Sequence, residues 1–130
     1  MITRSMRRAV VVAMALLALT ALAGCKKGGA ARLEGHWRGI KATGVPSEQL
    51  PSANLFAAGM ELDFHNELVS VHTGSEKQSG KFRVVGEDKS SVTIVTDQDG
   101  PNDRQTFLFT DDKTMEWAVM PGKTIQFVRQ

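Results

Sequence analysis

The sequence predicts an all-β fold, an antiparallel meander of eight strands with one short helix after the first. Three observations carry that prediction. Apolar and polar residues alternate with period 2 through most of the chain beyond residue 32, which is the signature of half-buried strands. The alternating runs are short and are separated by Gly, Asp, Asn and Pro clusters that form tight turns. One segment alone, Val45 to Met60, breaks the alternation.

The first strand is read over Leu33 to Ile40. Within Val45 to Met60, Pro46 and Pro51 punctuate an apolar cluster of Leu55, Phe56, Ala57 and Ala58. A proline inside a helix costs about 3 kcal/mol, so one short helix is expected from about residue 52, with Ser52 as N-cap and Gly59 at its end. Met60, Leu62 and Phe64 alternate with Glu61 and Asp63, and Val69, Val71 and Thr73 follow a turn at His65-Asn66. Phe82 and Val84 alternate with Lys81 and Arg83; Val92, Ile94 and Thr96 alternate with Ser91 and Thr93. Phe107 and Phe109, then Met115, Trp117 and Val119, then Ile125 and Phe127 complete the series. Strands so spaced close as a barrel or fold as a sandwich.

The first 32 residues read differently. Arg4, Arg7 and Arg8 precede an apolar run from Ala9 to Ala23 that only Thr20 interrupts, the layout of a secretory signal peptide. Fifteen residues are too few to span a hydrocarbon core, which needs roughly 20. The run ends at Leu22-Ala23-Gly24-Cys25, which resembles the lipobox of bacterial lipoproteins at every position. The resemblance implies a signal peptide over 1–24, cleavage before Cys25, a diacylglycerol on its thiol and an acyl group on its freed amine. Each buried CH₂ contributes about 0.8 kcal/mol, so such an anchor holds its protein on a membrane. Residues 25–32 are read as the lipidated cysteine and a flexible tether, and 33–130 as the barrel domain. In enterobacterial lipoproteins an Asp after the lipidated Cys marks inner-membrane retention. Lys26 stands there, so the expected location is the cell envelope, on the periplasmic face of the outer membrane.

Removing the signal changes the charge. The whole chain carries +2 with a pI of 8.9, a balance that invites a nucleic-acid reading. Three of the 16 Lys and Arg lie in the signal and all 14 Asp and Glu lie beyond it, which leaves a net −1. No nucleic-acid partner is expected. With one cysteine no intramolecular disulfide is available, and the fold rests on its core.

Gly35-His36-Trp37, before the helical segment, is similar to the Gly-x-Trp of the lipocalin and calycin group. That resemblance implies a closed barrel in which Trp37 packs across one end and an Arg of the last strand, here Arg129, lies against it through a cation–π contact worth about 0.5–2 kcal/mol. The chain departs from true lipocalins in being short, in lacking a disulfide and in having no helix after the last strand. Eight strands enclose an interior that side chains just fill or that holds one small ligand. Phe64, Phe82, Phe107, Phe109, Phe127, Trp117, Met60 and Met115 all fall on the inward phase, which favours a filled interior, with any pocket near residues 45–59.

No segment names a reaction, and the chain is read as no enzyme, with no cofactor and no metal. Asp97 to Asp103 has the acidic density of a calcium loop, but Pro101 stands where an oxygen ligand belongs and the distal Glu is absent; it reads as a hairpin turn. His36, His65 and His72 lack metal-ligand spacing. Ser75 and Ser79, in Thr73 to Gly80, have no Gly-x-Ser-x-Gly context. Glu61 and Asp63 share one strand face, as solvated carboxylates commonly do. Leu68, Val85, Val95, Leu108 and Val128 fall out of phase and are assigned to the outside, where a cluster would mark a partner surface. The expected function is a membrane-anchored lipoprotein with a lipocalin-like binding or interaction domain, taking a small apolar ligand or an envelope protein. The alternative is an inhibitor of an envelope hydrolase of protease or lysozyme type, inserting Thr73 to Gly80 or Asp97 to Asp103 into the enzyme's cleft.

Overall fold

A computed structural model describes residues 28–130; the signal segment, the lipobox and Cys25 lie outside the described residues. The elements are α1 (Gly29–Leu33), β1 (Gly35–Thr43), α2 (Leu50–Ala58), β2 (Met60–His65), β3 (Leu68–Thr73), β4 (Glu76–Glu87), β5 (Ser91–Thr96), β6 (Gly100–Phe109), β7 (Thr114–Met120) and β8 (Lys123–Arg129). Each strand pairs with the next, antiparallel, and β8 pairs back to β1, so the meander closes into an eight-stranded barrel. Closure removes the free sheet edges that an open meander would expose.

The alternation decides which side chains go in. Trp37, Leu62, Phe64, Val92, Ile94, Phe107, Met115 and Phe127 are buried in one cluster. Phe64 is at its centre, edge-on to Phe82 at 5.4 Å and to Phe107 at 5.5 Å between ring centroids, the geometry that ring quadrupoles favour. Trp117 stacks on Phe107 at 5.8 Å and donates its indole N–H to Gln105 Oε1 at 2.9 Å. The interior is therefore filled by aromatic rings.

Connectivity gives the barrel two ends. α1, the β2–β3, β4–β5 and β6–β7 turns and the end of β8 lie at one, the closed end. The β1–α2–β2 connection and the β3–β4, β5–β6 and β7–β8 turns lie at the other. α2 packs on β1 at Gly39, where a Cβ would strike the Ala57 carbonyl. Asn54 Oδ1 accepts the Ala42 N–H at 2.9 Å and ties the helix to the strand.

Four expectations are corrected. Residues 29–32, read as tether, form α1 with Leu33, whose side chain is fully buried; β1 accordingly starts at Gly35 rather than Leu33. Five residues are too few to hold a helix on propensity alone, and burial of Leu33 in the barrel end supplies the rest. The helix runs from Leu50, with Pro51 in its first turn and Gln49 rather than Ser52 at the N-cap; in the first turn proline's missing N–H has no intrahelical partner to lose. Glu76 to Gly80, read as loop, is the start of β4, paired residue by residue with β3. Its Glu-Lys-Gln-Ser sequence is exposed and carries no alternation, so the ladder, with a Ser70–Ser79 side-chain hydrogen bond of 2.9 Å, holds it without a hydrophobic signal. β6 likewise begins at Gly100, before its first phenylalanine.

Candidate functional site

The closed end is built around two arginines, each lying on an aromatic ring. Gly35 adopts φ +126°, open to glycine and strained for other residues, and a Cβ there would sit 2.9 Å from Arg129 Nη1. That space lets the Arg129 guanidinium lie 4.2 Å from the centre of the Trp37 ring, as the in-register pairing of Trp37 with Arg129 requires. Arg129 donates to the Asp112 carbonyl at 3.1 Å, to the Arg32 carbonyl at 2.7 Å and to the Glu34 carbonyl. Trp37 donates its indole N–H to the Leu33 carbonyl at 2.8 Å. Gly35, Trp37 and Arg129 thus come together, and all three hold α1 against the barrel.

Arg32 repeats the device and was not singled out from the sequence. Its guanidinium lies 4.5 Å from the Phe109 ring centre and donates to the Asp88 and Lys89 carbonyls at 2.7 and 2.8 Å. No sequence signal marks it, because its partners are backbone oxygens 56 and 57 positions away. Asp88 organises that turn: its Oδ1 accepts the Ser90 N–H at 2.9 Å and the Ser91 N–H at 2.8 Å. The hydrogen bond from the Ser90 backbone, with those from Ser91, holds the carboxyl below its ordinary 3.8.

At the other end the largest exposed apolar side chains gather. Leu55 is 77% exposed and Phe56 58% on α2, with Met120 at 60% and Val119 beside it on β7. Gly44, which leads from β1 toward α2, lies against the Gly122 backbone of the β7–β8 turn, so the two connections that carry these residues meet at this end of the barrel. The out-of-phase residues form no such group. Leu68 pairs across from Lys81, Leu108 from Glu116 and Val128 from Arg38, and Val95, opposite Arg83, is buried rather than exposed.

The remaining candidates are dispersed. Glu61 and Asp63 stand on the outer face between β1 and β3, with Glu61 opposite Arg38 and His72 and Asp63 opposite His36 and Ser70. His36 approaches Glu61 at 3.7 Å, and His65 meets Glu34 at 3.0 Å. Among the described residues no group of three or more His, Cys, Asp or Glu side chains is placed to hold a metal ion. At the rim, between β3, β4 and the β5–β6 turn, a half-open recess of about 60 Å³ is lined by Val69, Val71, Gln78 and Thr96. A few waters fill that space, whereas ligand pockets run to several hundred Å³. Asp97 to Asp103 projects from the rim: between Gly100 and Gln105 four residues of β6 stand opposite one of β5, a long exposed bulge.

No protein-family model matches the chain, and no characterised protein matches its sequence.

Proposed function

We propose that the chain is a lipid-anchored protein of the bacterial envelope whose lipocalin-like barrel is a protein-interaction module rather than a ligand carrier. The observation that carries this reading is the pairing of a filled interior with an apolar rim: rings occupy the space a ligand would need, while Leu55, Phe56, Val119 and Met120 stay exposed. Exposed apolar side chains that collect at one end of a fold are a mark of partner surfaces.

The position of the rim argues for a protein rather than the chain's own bilayer. Two residues lie between Cys25 and Gly28, and the three peptide steps span at most about 11 Å, so an acylated Cys25 keeps the closed end near the lipid. Strands of six or seven residues, tilted by about 40°, lift the far end roughly 15–20 Å higher. The rim then faces the periplasm.

The test uses the full chain in its host, with a photo-crosslinking residue at Phe56 and, as control, at Ser90 on the closed end. The expected result is one defined protein adduct from position 56 and none from position 90. Equal or absent adducts sink the interaction reading; a mature amino terminus whose mass shows no acyl chains sinks the anchor separately.

The second reading, inhibition of an envelope hydrolase, is favoured by the exposed bulge Pro101 to Arg104 rather than by Thr73 to Gly80, whose strand pairing leaves only the Gly74-Ser75 turn free. A crosslinker at Asn102 that captures a hydrolase would select this reading over the first.

A further inference from the structure

Outside the barrel at its closed end, a groove of about 460 Å³ runs between α1 and the β6–β7 turn. Its walls carry Arg32, Lys89, Lys113 and Arg129, with Asp111 and Asp112 as the only acids among the described residues. The two arginines are half-buried, yet neither has a carboxylate within ion-pair distance: among the described residues the ion pairs are His36–Glu61 and His65–Glu34. Their guanidiniums are held by neutral carbonyls and ring faces alone.

Two full positive charges removed from much of their water and given no counter-ion form an arrangement that an anion stabilises. Each guanidinium has five N–H donors. Arg32 commits two of them and Arg129 three, which leaves five without a partner among the described residues. Lys89 and Lys113 are exposed and make no side-chain hydrogen bond or ion pair among the described residues. On the acidic side, Asp111 Oδ1 accepts the Lys113 backbone N–H at 2.7 Å and so is engaged with its own turn. Asp112 is the one carboxylate of the lining left without such a bond.

We propose that this groove binds a phosphate group. Planar guanidinium forks match phosphate oxygens two at a time, and ammonium groups complete the charge. Two sources present that chemistry, a free phosphate and a lipid headgroup. Gly29 packs on Val84 and Val92 at this same end, four positions from residue 25 in the sequence. A headgroup source therefore rests on the anchor reading, and phosphate binding itself does not.

The experiment titrates the full-length protein in neutral detergent, first with inorganic phosphate and then with a short-chain phosphatidylglycerol, by calorimetry. Saturable binding of inorganic phosphate supports the proposal with a free phosphate as the source; saturable binding of the phosphatidylglycerol alone supports it with a headgroup. In either arm Lys89→Ala/Lys113→Ala weakens binding about tenfold or more, Asp112→Asn strengthens it, and added salt weakens it. The double variant removes two exposed side chains and keeps its unfolding temperature. Binding of neither probe, or heat that is unchanged in the double variant, overturns the proposal. Repeating the phosphate titration with Cys25→Ser gives the same affinity, so a failure of the anchor leaves this result standing.

Discussion

Arg129→Ala removes more than a surface charge. The substitution takes away the stack on Trp37, worth about 0.5–2 kcal/mol, and three donors that reach the Asp112, Arg32 and Glu34 carbonyls. A hydrogen bond contributes about 0.5–1.5 kcal/mol net. Because Arg129 is half-buried, water replaces part of what is lost, and the sum is discounted to about 2–4 kcal/mol. Arg129→Lys keeps the charge near Trp37 but has no planar fork to reach three carbonyls, so it recovers less than half of that loss. Urea denaturation of both variants, followed by the fluorescence of Trp37 and Trp117 together, gives the two values. A loss below about 1 kcal/mol for Arg129→Ala, or full rescue by lysine, refutes the argument that the guanidinium clamps α1 to the barrel.

Other perturbations test the remaining parts. Phe64→Ala removes the ring that both Phe82 and Phe107 meet edge-on and is expected to cost about 3–5 kcal/mol; a value below about 2 kcal/mol means the interior collapses onto the vacancy. Gly39→Val drives a side chain into the Ala57 carbonyl, lifting α2, and hydrogen exchange at the Ala42 amide should quicken as its bond to Asn54 is lost. Leu55→Ser with Phe56→Ser is expected to leave stability within about 0.5 kcal/mol, since both side chains are exposed, while abolishing the adduct at the rim. Asp88 has a folded pKa below its ordinary value, so the order it gives the β4–β5 turn is present above pH 3.8 and is lost as pH falls through the lower folded value. The Ser90 and Ser91 amide signals should therefore titrate with a midpoint below 3.8, and a midpoint at or above it contradicts the hydrogen-bonded geometry.

The strands with strict alternation were legible because the residues that specify them are the residues they bury. Met60-Glu61-Leu62-Asp63-Phe64 is such a case: its three apolar positions are all buried. Glu76 to Gly80 was not legible, since its strand exists through backbone pairing to β3 and its first four side chains face water. α1 was hidden for a related reason. Gly-Ala-Ala-Arg-Leu is too short to stand as a helix alone, and its order comes from Leu33, Arg32 and the carbonyls presented to Arg129, all of which depend on distant partners. Gly35 and Trp37 could be picked out through their resemblance to a known motif, whereas Arg32 and the groove beside it needed the folded chain. The rim was half legible: Leu55 and Phe56 stood out as an apolar cluster, but their exposure depends on how α2 sits over Gly39.

Pairing of β8 with β1 has a consequence for biosynthesis. The guanidinium that completes the ring reaches a carbonyl 97 positions earlier, so the first strand, already paired with β2, gains its second neighbour only when residues 123–129 are at hand. Until then both flanks of the nascent sheet are free to recruit strands from other molecules. Truncation that removes β8 is thereby a solubility lesion, because it leaves β1 and β7 as open edges.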